Sequence, residues 1–465
     1  MDRNKTILKN TVIFAIGNFG SKILTYVMVL VYTHFISADN LGYYDLILTT
    51  ISLLQPIILL AFDEGLYRWL IGIDTLDKKT VVSTCLRITT VTSIGTAVLF
   101  VILNLKFHFR YVGLIALFLV SALIYQMVLN AVRGLSSNKL YAASGILNSF
   151  LVLVLEIIGL IPLHLGIEAL LLSKLLANFI TIGYIFIKQQ ELLAVFTIKT
   201  DRLIAKDVLR YSLPLIPNQI SWWIINSSDR YIILFFLGTA FNGIYSVATK
   251  FPTVIMTITS IVYMSLQETI IKEYHSEDRN QFYSQTFQKY YILLFTLVIC
   301  AIPASKVIIL LFVGAEYRDA WMYTDFLLLG TVFMALSSLL GIGYQISKET
   351  SRSVISTISA AGINLLVNLI LVQFIGLHAA SFSTLFSYFL LFVLRIQHSK
   401  KYFTLHIKWP LFVFLACISI IVSIISYINN TTVNIIISII GGVLLLYFNR
   451  GILKKFFRRK AGVKK

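Results

Sequence analysis

Fourteen apolar runs, each about as long as a bilayer is thick, follow one another through this 465-residue chain with little between them. A spanning helix needs roughly 20 mostly apolar residues. The runs lie near 10–36, 41–62, 82–104, 110–131, 142–163, 167–188, 210–237, 240–264, 287–309, 321–345, 353–374, 376–396, 408–427 and 431–449. Hydrocarbon offers no partner to a backbone N–H or C=O, so such runs form helices or a closed barrel. A barrel would show short segments of alternating polarity, and these runs are long and continuous. The expected class is all-α: a polytopic membrane protein with fourteen transmembrane helices. The composition, 58% hydrophobic and 13% charged, excludes an ordinary soluble domain.

Lysine and arginine test that count. With the N-terminus in the cytoplasm, 31 of the 39 basic residues fall at cytoplasmic ends and loops. Only Lys106, Arg110, Lys306 and Arg318 fall in outer loops. Lys22, Lys174, Arg230 and Lys250 fall inside helices. The bias matches the positive-inside rule and puts both termini in the cytoplasm. The net charge of +18 then follows from topology and requires no nucleic acid. The tail Lys454-Lys455-Phe456-Phe457-Arg458-Arg459-Lys460 reads as an orientation signal or as a patch for anionic lipid. The first run is too long for a secretory signal and carries Lys22. Cys85, Cys300 and Cys417 are scattered and fit no disulfide or metal pattern.

Internal similarity divides the chain. Phe35-Ile-Ser-Ala-Asp-Asn-Leu-Gly-Tyr-Tyr-Asp-Leu46 aligns without gaps with Phe236-Leu-Gly-Thr-Ala-Phe-Asn-Gly-Ile-Tyr-Ser-Val247, matching Phe35/Phe236, Gly42/Gly243 and Tyr44/Tyr245. Leu165-Gly-Ile-Glu-Ala-Leu170 echoes Ile375-Gly-Leu-His-Ala-Ala380, and Glu64/Arg68 echoes Glu268/Lys272 as (i, i+4) salt-bridge candidates. Six helices separate the copies, so the repeats are parallel. The expected organisation is an N-lobe over 1–200, a C-lobe over 201–400, and two further helices with the basic tail over 401–465. A path between two such lobes suits a transporter. Pro56, Pro214, Pro217 and Pro252 sit in or at the start of helices, as static kinks or as hinges for lobe rocking.

A charge at the centre of a spanning helix costs about 2.5–3.5 kcal/mol on insertion scales, and it faces protein or a water-filled path. Counting depth from the outer turns sets Glu156 level with Lys174. It sets Asp229 and Arg230 level with Lys250. Glu156 is placed to pair with Lys174, and Asp229 with Lys250. Two cations then remain in excess. Such a cavity favours an anionic ligand, and Arg suits phosphate oxygens. Asp229 and Glu156 are the carboxylates for ion coupling, through a proton gradient, a sodium gradient or the membrane potential. The histidines are dispersed, no P-loop is present and no constellation for covalent chemistry stands out, so neither a metal, a cofactor nor an enzymatic activity is expected. Trp69, Trp222, Trp223, Trp321 and Trp409 read as interface anchors.

Two six-helix lobes plus two helices, with Ser228-Asp229-Arg230-Tyr231 in the seventh run and Gly243-Ile244-Tyr245-Ser246 opening the eighth, resemble the polysaccharide repeat-unit flippases. These belong to the multidrug/oligosaccharidyl-lipid/polysaccharide exporter superfamily. The resemblance implies a bacterial cytoplasmic-membrane flippase and an oligosaccharide linked through pyrophosphate to undecaprenol. It also implies alternating access, and partnership with polysaccharide polymerase or export machinery. In related lipid II flippases the first and eighth helices supply cations that face the pyrophosphate, a role that falls here on Lys22 and Lys250. The last two helices there border a groove for the lipid tail. The competing readings are a multidrug antiporter of the same superfamily, a lipid II flippase, and a glycan polymerase or ligase. The cation excess disfavours the first, a lysine where arginines are expected disfavours the second, and short outer loops disfavour the third.

Overall fold

The computed structural model describes residues 20–72, 78–108, 110–347 and 349–450. Among them every regular element is helical. Packing divides the chain into two compact units, Met1–Trp223 and Ile224–Lys465. The division falls inside the seventh apolar run, whereas the sequence drew it in the preceding loop.

The first unit holds α1 (Gly20–Tyr32), α2 (Ala38–Ile58), α3 (Phe62–Gly72), α4 (Lys78–Phe107), α5 (Val112–Gly134), α6 (Asn138–Leu160) and α7 (Ile167–Lys188). A short α8 (Ala194–Thr197) and α9 (Arg202–Ser212) follow, and the boundary between the units falls within α10 (Ile216–Ser227). Ser37 starts α2 by accepting from Asn40 N–H, and Asp201 starts α9 by accepting from Leu203 and Ile204 N–H. Pro56 lies in the last turn of α2, where its missing N–H weakens the ladder. The chain then turns at Leu59–Ala61, with Leu60 and Ala61 at φ of 53° and 50°. The turn aims Phe62, Leu66 and Leu70 of α3 into a core with Val82, Met127 and Val208. Trp223, expected as an interface anchor, instead donates from Nε1 to Thr49 O and Ser52 Oγ of α2, at 3.1 and 3.0 Å. Glu64 and Arg68 are exposed on α3 and no ion pair joins them, in contrast to the expected salt bridge. The side chains of Glu268 and Lys272 lie outside the described residues.

The second unit continues with α11 (Asp229–Phe236), α12 (Thr239–Ala248), α13 (Lys250–Lys272), α14 (Arg279–Phe312) and α15 (Trp321–Leu340). It closes with α16 (Ile342–Ser347), α17 (Thr350–Ile375), α18 (His378–Ser399), α19 (Trp409–Ile428) and α20 (Thr431–Phe448). Twelve stretches among the described residues are long and apolar enough to cross a membrane, with α12–α13 running as one of them. Two of the fourteen expected runs are not among these. Of the first only residues 20–36 are described, with the helix Gly20–Tyr32, and the seventh is interrupted at Ser228, so no single described helix has the length. The protein is a multi-pass, all-α membrane protein.

The last two helices share the core of the second unit. Phe412 of α19 packs among Tyr291, Phe295 and Phe392. Gly441 lets α20 approach α14 so closely that a Cβ there would sit 2.8 Å from Cys300 Cα. The α18–α19 connector is tied down as well. Phe403 stacks on Tyr283 at 3.9 Å, and Thr404 and His406 N–H donate to Asn280 and Ser284 side chains. Glu349 accepts from Lys401 and Tyr402 and pairs with Arg352. The hydrogen bonds from Lys401 and then Tyr402 hold its carboxyl below the usual carboxylate range. A depressed acid stabilises the fold above its unfolded-state pKa, and this link is lost as pH falls through the lowered folded value.

Close helix approach in membranes depends on small residues. Gly441→Leu is expected to cost about 1–3 kcal/mol through overpacking and to lower the unfolding temperature of the purified protein. Gly362→Leu, where a Cβ meets nothing within 4 Å, should leave it unchanged.

Candidate functional site

Two helix interruptions lie together at the start of the second unit. The first is at Ser228, between α10 and α11. Its hydroxyl reaches back to Ile224 O at 2.7 Å and across to Asn364 Oδ1 at 3.4 Å. Back-bonding of this kind bends a helix. The second is at Thr249, between α12 and α13. Pro252 lies three residues on and has no N–H for the carbonyl of Ala248, so the ladder breaks there. Pro214 and Pro217 act differently. One sits in the 3-10 turn Leu213–Leu215 and the other in the first turn of α10, where a missing N–H costs little.

Arg230 joins the two interruptions. Its Nη1 donates to Asn226 O at 2.9 Å and its Nη2 to Thr249 Oγ1 at 3.2 Å. The guanidinium lies 5.3 Å from the Tyr245 ring centroid. Arg230 is 9% exposed, and its bond to Thr249 sets it beside half-buried Lys250.

Asp229 is 1% exposed. Its hydrogen bonds come from uncharged donors: Tyr245 Oη at 2.8 Å, Thr384 Oγ1 at 3.1 Å and Asn368 Nδ2 at 3.1 Å. Three further helices, α12, α17 and α18, thus converge on one carboxylate. Among the described residues Asn368 Oδ1 and Asn364 Nδ2 have no partner. Sequence reasoning selected Asp229 and Arg230 but missed Asn364, Asn368 and Thr384. These are short polar residues at helical spacing (i, i+4 for the two asparagines), and that spacing was the one available signal.

The first unit repeats the device. Tyr44, the sequence equivalent of Tyr245, has Lys174 Nζ 5.7 Å from its ring centroid. Glu156, 3% exposed, lies within electrostatic reach of the same phenol. The Tyr44 hydroxyl is buried and accepts or donates no hydrogen bond among the described residues. Lys22 lies exposed on α1.

Further buried charges were missed because they lie near run ends. Lys306, which the sequence assigns to an outer loop, is 6% exposed. Its Nζ donates to Ser426, Tyr427 and Asn429 carbonyls at 2.7, 3.3 and 3.0 Å and lies 3.7 Å from the Trp321 ring centroid. It therefore caps the end of α19. Arg395 is 4% exposed, and its Nη1 donates to Ser337 O at 3.0 Å beside the α15–α16 break. Asp325 accepts from Ser423 at 2.6 Å. It lines a mostly apolar cavity of about 520 Å³ with Phe326, Phe333, His378, Ile420 and Tyr427.

The profile of the family described as polysaccharide biosynthesis protein matches residues 7–271, more than half the chain. The chain belongs to the polysaccharide biosynthesis protein family. Among solved structures, this family member is similar to the lipid II flippase MurJ in an inward closed conformation. The TM-score is 0.70 at 14% identity, over 96% of this chain and 100% of the other. An inward-facing multidrug resistance MATE family transporter of the MOP superfamily gives 0.59 at 17% identity, over 82% of this chain and 97% of the other. At these identities the likeness is one of fold. No curated protein matches the sequence.

Removing the acceptor should cost more than removing one donor. Asp229→Leu would strand two buried donors, Tyr245 Oη and Asn368 Nδ2, at roughly 1–3 kcal/mol each, since Thr384 keeps Ala380 O as an acceptor at 3.0 Å, whereas Tyr245→Phe removes a single bond. The unfolding temperature should therefore fall much further for Asp229→Leu.

Proposed function

We propose that this protein carries an undecaprenyl-pyrophosphate-linked oligosaccharide repeat unit from the cytoplasmic to the outer leaflet of the bacterial cytoplasmic membrane. Both termini lie in the cytoplasm. Membership of a polysaccharide biosynthesis family supports this reading, as does a fold shared along its length with a lipid II flippase. The observation that carries it is the setting of Arg230 and Lys250 at adjoining helix interruptions. Arg230 offers a planar fork for phosphate oxygens and Lys250 a second cation at the first residue of α13, where the helix dipole also favours an anion. Lys22 and Lys174 are the candidate substrate-binding cations of the first unit. The apolar cavity beside α19 is of a size and character for part of an isoprenoid chain. The basic tail, outside the described residues, would lie on anionic lipid. Polymerase or export machinery would take the delivered unit. The chemistry is movement and not bond-making.

Asp229 is our candidate for ion coupling. A buried carboxylate with hydroxyl and amide oxygens around it suits a proton or a sodium ion, and the unpartnered Asn368 Oδ1 is an oxygen to spare. Glu156 is the corresponding group in the first unit. Pro252 and the Thr249 interruption, with Pro56 and the turn after it, are the points where the lobes would flex. A multidrug antiporter is the second reading, favoured by the likeness to the MATE transporter and by the same carboxylate.

The test is surface-polymer output in cells whose own copy is replaced. Arg230→Ala and Lys250→Ala should each lower output about 10- to 100-fold, the loss of one or two hydrogen bonds to a charged group, with unchanged protein level. Arg230→Lys should retain part of the output. Asp229→Asn should abolish the response to a sodium or pH gradient. Normal output from Arg230→Ala together with new drug resistance on overexpression would favour the antiporter.

A further inference from the structure

A second cavity lies wholly within the first unit, between α1, α5 and α6. It measures about 220 Å³ and is lined by Ser21, Tyr125, Tyr141, Gly145, Asn148 and Ser149 among others. Pockets for drug-sized ligands begin near 300 Å³, so this one has room for a single small ring. Among the described residues no charged side chain lines it. Its polar groups are set by the protein and left with bonding capacity to spare. Ser121 Oγ donates to Phe118 O and so accepts from Asn178 Nδ2 at 3.2 Å. That fixes Asn178 Oδ1 as the acceptor for Asn148 Nδ2, at 3.1 Å, with Thr181 Oγ1 a second acceptor at 3.4 Å. The Asn148 amide is thereby held with its nitrogen turned to the network, and its oxygen accepts nothing among the described residues. The hydroxyls of Tyr125 and Ser149 likewise have no hydrogen-bond partner there. All three residues are half-buried, so these groups are open to the cavity. Three polar groups with bonding capacity to spare around one small space suit a ligand rich in paired donors and acceptors.

We propose that this pocket seats one uncharged sugar ring of the lipid-linked glycan, with hydroxyls bonded to Tyr125, Asn148 and Ser149 and a ring face against Tyr125 or Tyr141. The assignment rests on the flippase reading above and makes the first unit a reader of the glycan. A phosphate or uronate would find no cation in it. The pocket lies toward the α5–α6 turn, the end that the charge bias sets on the cytoplasmic side, where substrate would load.

Gly145 gives a clean test, because a Cβ there meets nothing within 4 Å. Gly145→Leu places a side chain at the pocket with its Cβ unobstructed and should keep or raise the unfolding temperature, since Gly is a poor helix former. Surface polymer should nonetheless fall at least tenfold. Gly183→Leu, equally unobstructed on α7 but not in the pocket, should behave as wild type. Tyr125→Phe and Ser149→Ala remove a hydroxyl with little change in volume and should each lower output about fivefold, the worth of one neutral hydrogen bond. Depletion of the wild-type protein is the reference. If depletion leaves polymer unchanged, the flippase reading fails. If depletion stops polymer but Gly145→Leu supports normal output, the sugar seat alone is overturned. It is also overturned if Gly145→Leu is inactive while both hydroxyl deletions act as wild type, because the space then matters and the hydrogen bonds do not. Should Gly145→Leu unfold at a lower temperature, the two hydroxyl deletions decide.

Discussion

A backbone carbonyl or N–H left bare in hydrocarbon costs several kcal/mol, and this constraint orders the whole structure. Uninterrupted helix satisfies it everywhere except at ends and breaks. Those are the points where the buried cations are found. Arg230 donates to Asn226 O and to the hydroxyl of Thr249. Lys306 covers the last carbonyls of α19, and Arg395 covers Ser337 O beside the break after α15; half-buried Arg87 likewise donates to Val195 O of α8, at 2.7 Å. A cation at a helix C-terminus also meets the negative end of the dipole. Each of these cations therefore has a structural task before any functional one.

This sharpens the meaning of the cation excess. Lys306 is consumed by carbonyls, and Arg395 by Ser337 O with the hydroxyls of Ser356 and Thr357, so both offer little to a ligand. Arg230 is different because its partners lie at two interruptions, where the fold gives up helix hydrogen bonds. Static packing alone does not require both breaks to meet at one arginine. Asp229, one residue away, draws donors from three other helices. An anion near Arg230 and an ion at Asp229 would thus act on neighbouring residues of one short helix, which is a physical route for coupling between them.

Much of this was legible in the sequence. Long apolar runs, the basic-residue bias and the Tyr44/Tyr245 repeat led to an all-helical membrane fold and to the residues that hold a cation over a ring in each unit. Charges such as Glu156 and Asp229 stand out against apolar surroundings. Asn364, Asn368 and Thr384 do not, since short polar residues are common in helices and gain meaning only from what they face. Lys306 and Asp325 lie near run ends, where a charge ordinarily meets water. The interruption at Ser228 has no proline or glycine to announce it. The pairing of Asp229 with Lys250 followed from depth alone, and depth does not give azimuth: the acceptor meets a tyrosine, a threonine and an asparagine.

The most direct test of the central claim is the leaflet in which the lipid-linked glycan resides when the protein is depleted. Undecaprenyl-pyrophosphate oligosaccharide would be quantified by mass spectrometry, before and after treating intact spheroplasts with a non-permeant glycosidase. The account predicts a complete repeat unit that accumulates and resists the enzyme, because it is held on the cytoplasmic side. Accumulation of a unit that the enzyme removes, or no accumulation with unchanged surface polymer, would contradict it.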